Sequence, residues 1–267
     1  MTSSSEQVRP TFGRNSDDAV TRRGNPVRSQ KTAILLARRI VDEIISNNFG
    51  PNSRLPQEKD MIEYFKVGRA TLREALRHLE FLGILEIRSG PGGGPVLLKP
   101  DGADLGSVLE LLLAVSRIRF GEVVDVREVL EPVMAASAAS NATDELVGKL
   151  RESVKAMGVE ELTDDQFLQE NGNFHDILAK GSGNRVMEFF HGSLHSIIDG
   201  SVVGVHYSQR RRKVVIESHE EITDAIERRD PQAARAAVEA LMTSWRAYVS
   251  KRHPETLNRP LTWSLHD

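Results

Sequence analysis

From about Lys31 to Asn48 the apolar residues Ile34, Ala37, Val41, Ile44 and Ile45 recur three and four positions apart, which predicts a helix with one buried stripe. Gly50 and Pro51 stop it. The same period predicts a short helix from about Pro56 to Phe65, with Met61, Ile62 and Phe65 inward. Lys66, Val67 and Gly68 make a tight turn. A third helix, about Arg69 to Leu82, carries Leu72, Ala75, Leu76 and Leu79 on one stripe and ends at Gly83. The period then changes. Ile84–Arg88 and Pro95–Leu98 read as two short strands around Ser89-Gly90-Pro91-Gly92-Gly93-Gly94. Three helices followed by a glycine-tipped hairpin describe a winged helix-turn-helix.

Lys99-Pro100-Asp101-Gly102 has linker chemistry, and beyond it the pattern is helical with little interruption. Helices are predicted at 104–118, 122–140, 143–157, 164–180, 184–199, 206–228 and 231–250. Gly181-Ser182-Gly183-Asn184 marks one break. Arg229-Asp230-Pro231 marks another, with Asp as cap and Pro in the first turn. No period-two alternation appears there, so the expected class is mainly α: a winged helix-turn-helix with a two-stranded wing, then an all-α antiparallel bundle. The expected division is a disordered arm at 1–28, poor in apolar residues, the winged domain at 29–98, a linker at 99–103, the bundle at 104–250 and a tail at 251–267 anchored by Trp263.

Composition changes this picture in three ways. Cysteine is absent, which excludes disulfides, thiolate catalysis and cysteine zinc sites. No run approaches 18 apolar residues and the N-terminus lacks an apolar signal core, so no membrane partner and a cytoplasmic location are expected. The net charge of -3 is uneven. Residues 1–99 hold 16 Lys and Arg against 11 Asp and Glu, a net +5, whereas residues 100–267 hold 19 against 27, a net -8. A basic N-terminal part suits a polyanion.

The third helix sharpens that reading. Arg69, Arg73 and Arg77 fall at i, i+4 and i+8, opposite the leucine stripe. Such a helix buries its leucines and can present guanidinium groups to the guanine edge in the major groove. Thr71 can reach a base edge or phosphate, and Lys59 can reach DNA across the turn. The alternative is a solvated basic face on a structural helix. Leu55-Pro56-Gln57-Glu58-Lys59-Asp60, Phe65 to Leu76 and Leu79-Glu80-x-x-Gly83-Ile84-Leu85 together resemble the GntR family of bacterial regulators. That resemblance covers about 31–98 and implies that Lys59, Arg69, Thr71 and Arg73 contact double-stranded DNA, which Arg77 joins by its spacing. It also implies that Ser89 and Gly90 approach the minor groove. Three positions depart from the family pattern: Gln57 replaces a capping Ser, Lys59 replaces Arg, and Gly68 replaces Ser. The glycine cluster is not a phosphate loop, since no Gly-Lys-Ser/Thr follows it.

The helical part resembles the FCD sensor domain of the FadR-like branch of that family. The matching stretches are Val126 to Pro132, Asn173 to Asn184 and Ser218 to Ala234. Many members hold a metal through Asp-x3-His and one His on each of two later helices, 22 residues apart. Here the four positions are Asn171, His175, His219 and Leu241, so two imidazoles remain and the carboxylate is gone. Helical spacing turns Phe167, Asn171, Phe174, His175 and Leu178 to one interior, and Val215, His219, Ile222 and Ile226 likewise. No cofactor is expected. Core histidines in a polar cavity are one reading, and a weak zinc or manganese site on His175 and His219 is the other. His191 and His195 lie four apart on what reads as an outer face. Arg127, one residue past the inward Val123 and Val126, is either an exposed helix charge or the partner of an effector's carboxylate or phosphate. With Asn171, His175 and His219 it forms the candidate effector site. Arg210-Arg211-Arg212-Lys213 reads as a solvated turn, a second anion site or an interdomain contact.

The sequence therefore points to a ligand-responsive DNA-binding transcription regulator. By the resemblance it is a homodimeric repressor on a palindromic operator, released by a small organic acid or acyl-type, anionic effector; segment 104–118, more apolar than one buried face requires, is the expected dimer contact. It is not read as an enzyme. The alternative is a metal-dependent sensor or enzyme using the bundle histidines. Against it, His219-Glu220-Glu221-Ile222-Thr223 lacks the second His of His-Glu-x-x-His, and no Gly-x-Ser-x-Gly elbow or P-loop occurs.

Overall fold

The computed structural model describes the backbone of residues 26–90, 93–201 and 207–263. The chain divides into two units, Met1–Pro100 and Asp101–Asp267.

The first unit holds α1 (Pro26–Ser46), α2 (Glu58–Phe65), α3 (Arg69–Phe81), β1 (Leu85–Arg88) and β2 (Gly94–Leu97). Most of the expected arm lies outside the described residues. Its last three positions, 26–28, belong instead to the first turn of α1, where Pro26 costs no intrahelical hydrogen bond. The buried stripe of α1 also differs from the expected one. Ala33, Leu36, Ala37, Ile40 and Ile44 are buried, while Ile34 and Ile45 are exposed. The segment Ile34-Leu35-Leu36-Ala37 offers apolar residues on two faces, and packing against α3 selects one of them. α2 begins two residues later than expected, with Gln57 in extended conformation as an N-cap that makes no side-chain hydrogen bond. Lys66 closes it in the left-handed region at φ 53°.

α3 buries Leu72, Ala75, Leu76 and Leu79 against α1 and α2. Gly83, at φ 68°, lets the chain reverse, and Ile84 N–H donates back to Leu79 O at 3.0 Å. β1 and β2 pair antiparallel with Leu85 opposite Leu97 and Arg88 opposite Gly94. Leu85 and Leu97 seal the core.

The second unit is all helical among its described residues: α4 (Gly102–Val115), α5 (Phe120–Ser140), α6 (Asp144–Met157), α7 (Asp164–Gly181), α8 (Arg185–Ser201), α9 (Gln209–Glu227) and α10 (Pro231–Arg252). The linker is shorter than expected, because Asp101 forms a capping box with Asp104 and starts α4 at once. Asp230 caps α10, accepting from Gln232 and Ala233 N–H at 3.1 and 3.0 Å, with Pro231 in the first turn. α4 packs on α8 through glycines: a Cβ on Gly102 would stand 2.6 Å from the Gly192 Cα.

The core gathers Phe120, Phe167, Phe174, Leu178, Ile222 and Val238 among others. Behind α10, Phe120 N–H donates to Arg259 O and Leu261 N–H donates to Ile118 O. Leu261 is the buried anchor of the tail, whereas Trp263 is 54% exposed. No helix among the described residues is long and apolar enough to cross a membrane.

Candidate functional site

Two surfaces carry chemistry, one in each unit. In the first, the apolar stripe of α3 is consumed by the core, so its other face is left to solvent. Arg69, Arg73, Arg77 and Lys59 are exposed and Thr71 is half-buried. Neither α3 nor α2 has a side-chain N-cap, since Gly68 and Gln57 supply none. The first-turn N–H groups of α3 are therefore free of a competing side chain. Arg73 Nε lies 3.1 Å from Glu58 Oε2, an exposed pair. Ser89 and Gly90 stand exposed after β1, Gly90 at φ 94°, a conformation that favours glycine.

The interior of the second unit is organised by Glu131, which is fully buried on α5. One turn before it, Arg127 pairs with its carboxylate through Nε. His175 Nδ1 on α7 lies 2.9 Å from the other oxygen, at ion-pair distance but off the hydrogen-bond line. Burial works to raise the Glu131 pKa, and the charges of Arg127 and His175 reverse this, holding it well below the usual carboxylate range. Arg127 is thus neither an exposed charge nor an unengaged anion partner. Val126, expected inward, is 51% exposed, and the inward stripe runs through Val123, Val124, Arg127 and Glu131.

His219 on α9 is fully buried. Its Nδ1–H donates to Val215 O at 2.6 Å, Phe174 meets its ring edge-on at 4.1 Å, and Nε2 has no partner. Burial, aided by nearby His175, pushes its pKa down to about 3. The structure brings His175 and His219 within 5.3 Å, ring to ring, with Asn171 half-buried and Leu241 buried. By themselves these four positions offer two imidazoles and an amide and no carboxylate; the carboxylate beside them is that of Glu131, whose Oε2 lies 2.9 Å from His175 Nδ1. Among the described residues, the group of three or more ligand side chains whose atoms lie mutually within 4.8 Å is Asp176, His191 and His195.

That cluster corrects the outer-face reading of α8. His191 is 2% exposed. Asp176 Oδ1 accepts from His191 Nε2 and from His195 Nδ1, both at 3.0 Å. Burial tends to raise the Asp176 pKa, and these two hydrogen bonds outweigh it and lower it strongly. His191 Nδ1 points toward Glu131 Oε1, 3.9 Å away, so the two networks adjoin.

The basic tetrad at the start of α9 is split. Arg210 and Lys213 are exposed, whereas Arg211 and Arg212 are buried. Arg212 donates to Leu162 O at 2.7 Å, pairs with Asp164 and covers the Phe167 ring. Arg211 donates from one nitrogen to Ser244 Oγ at 2.8 Å and lies over Tyr248, while Nε and the second terminal nitrogen are buried without partners. Burial lowers its pKa.

Sequence reasoning missed Glu131 and Asp176 as site residues and placed His191 on an outer face. The Arg127–Glu131 and His191–His195 pairs, each four apart on a helix, were available as signals. Arg211 was flagged only within the basic tetrad, because which of its four residues turns inward is fixed by packing.

Comparison with known proteins follows this division. Residues 35–93 match the bacterial regulatory proteins of the gntR family, and residues 122–244 match the FCD domain. The chain is 28% identical over 254 residues to the HTH-type transcriptional repressor NanR of Klebsiella aerogenes, spanning 88% of this chain and 95% of that protein. It is 26% identical over 255 residues to NanR of Escherichia coli strain K12, spanning 92% and 94%. A solved structure of Streptococcus agalactiae GntR superposes with a TM-score of 0.67 at 27% identity, over 81% of this chain and 99% of that one.

Proposed function

This chain belongs to the GntR family of bacterial regulators, in the FadR-like branch with an FCD sensor domain, and on that premise we propose that it represses transcription from a palindromic operator and is released by a small anionic effector. The observation that carries the DNA half is α3: its leucines are 0–3% exposed and its arginines face outward. In this reading Arg69 and Arg77 read bases or phosphates, and Arg73 does so after leaving Glu58. Thr71 and Lys59 add backbone contacts, and the wing at Ser89 and Gly90 enters the minor groove. Repression is suggested by the relatives, which are named repressors.

The effector reading shifts from Arg127 to Arg211. Arg127 is engaged by Glu131, whereas Arg211 holds two buried nitrogens without partners, a geometry suited to a bidentate carboxylate or phosphate. His175, His219 and Asn171 supply further hydrogen-bonding groups in the same unit. Two copies of the chain then bind the two half-sites of the operator. The reading needs no catalytic step and places the protein in the cytoplasm with its DNA.

The test is fluorescence anisotropy with DNA from upstream of its own coding sequence, at several salt concentrations, with organic acids and acyl thioesters as challengers. Binding that weakens steeply with salt and is relieved by one of these compounds is expected. Arg211→Met should remove the relief and leave DNA affinity intact. A flat salt response, or relief unchanged in Arg211→Met, would refute the corresponding half.

A further inference from the structure

We propose that Asp176, His191 and His195 form a site for a divalent first-row transition ion of the zinc type, separate from the four positions at which the family's motif places its metal. Two imidazoles and a carboxylate are a donor set that zinc, cobalt and nickel accept. His191 and His195 sit one turn apart on α8, so both rings reach the same point, and Asp176 comes to it from α7. The Asp176 oxygen is 3.0 Å from each imidazole nitrogen. Metal bonds of about 2.0–2.1 Å at tetrahedral angles set ligand atoms roughly 3.3 Å apart, so a few tenths of an ångström admit the ion.

Two further observations point to a ligand rather than to a hydrogen-bonded trio alone. The first is His191 Nδ1, which is buried without a hydrogen-bond partner and faces the carboxylate of Glu131 at 3.9 Å. If Nε2 carries the proton to Asp176, Nδ1 is a bare acceptor facing an anion. An ion on Nε2 places the proton on Nδ1, where it meets Glu131, the carboxylate–histidine–metal arrangement. The second is Gly172. A Cβ there would stand 2.5 Å from His195 Nε2, so the glycine is what lets the ring lie in the cluster. Asp176 is 36% exposed, so the remaining coordination positions open outward to water or to an oxygen of a small molecule.

The test uses the full chain, stripped with a chelator and dialysed against zinc, then cobalt. About one zinc per chain is expected, with a cobalt absorption band of low-coordinate type. His195→Ala and Asp176→Asn should each weaken zinc binding more than about tenfold, and Gly172→Ala should do the same with all three ligands in place. Circular dichroism establishes that each variant is folded. Zinc-edge absorption on the parent protein needs no variant, and two imidazoles with oxygen ligands are expected. No zinc uptake at micromolar concentration overturns the site. So does loss of binding in His219→Ala with normal binding in His195→Ala, or a shell of three imidazoles. The readouts are metal content and coordination rather than DNA binding, so this site stands or falls apart from the operator reading.

Discussion

Arg73 on α3 reaches back to Glu58 on α2, its Nε 3.1 Å from the carboxylate, so one of the three arginines offered to DNA is already paired. Both side chains are exposed, 58% and 29%, and such pairs contribute about 0.2–1 kcal/mol. Glu58→Gln should therefore tighten operator binding by up to about fivefold, by freeing Arg73 and removing a negative charge from the DNA face. A titration of both proteins at matched salt checks this, and weaker binding in the variant would contradict it.

Among the described residues Arg69 has no ion-pair partner, and it heads the same helix. Arg69→Ala should cost roughly 1–3 kcal/mol at the operator and relax preference at one base pair, as loss of a bidentate guanine contact does. Arg73→Ala should instead weaken all sequences similarly and lower the salt slope by about one if it meets phosphate. Binding to a panel of single-base operator variants separates the two patterns.

Glu131 neutralises Arg127 in the interior, where the arginine side chain is 14% exposed. Glu131→Ala should destabilise the second unit by about 3–5 kcal/mol, because a buried charge loses its partner. The double replacement Arg127→Met with Glu131→Leu should recover much of that, since it removes both charges together. Urea unfolding of the parent and both variants measures the difference.

Acid should destabilise the protein. His219 titrates at 6.5 when unfolded and at about 3 when folded, so below 6.5 the unfolded chain takes up a proton that the folded one refuses. Glu131, held below its ordinary 4.5, acts in the same direction once the pH falls under that value. Stability is thus complete above about pH 6.5 and declines toward pH 3. Melting temperatures from pH 8 to pH 4 should fall, and the fall between 6.5 and 4.5 should shrink in His219→Phe.

A groove of about 830 Å³ runs between α4, α5 and α8, lined by Leu109, Leu113, Val126, Val129 and Phe190. Val126, Val129 and Phe190 are each more than half exposed, as are Leu112 and Val115 on α4. A contiguous apolar face of this kind seeks cover, and a second copy of the chain fits a two-fold operator. Light scattering at micromolar concentration should give a dimer, and Val129→Glu should give a monomer that stays folded.

The sequence by itself determined the element types and the division into two units. The leucine period of α3, the glycine at 83 and the alternation at 84–98 are local signals, and each acts through backbone geometry within a few residues. The cap Asp230 is local in the same sense, meeting N–H groups two and three residues on. What the tertiary structure decided was which of two apolar faces each helix buries and which polar groups meet across helices. Ile34 and Val126 lost to Leu36 and Glu131 because the packed neighbour, not the period, sets the buried side. The contacts between Glu131 and His175, and between Asp176 and His191, span 44 and 15 residues. No pattern within one helix encodes them, since a charge buried by partners from another helix looks, in sequence, like any charge on a solvated face.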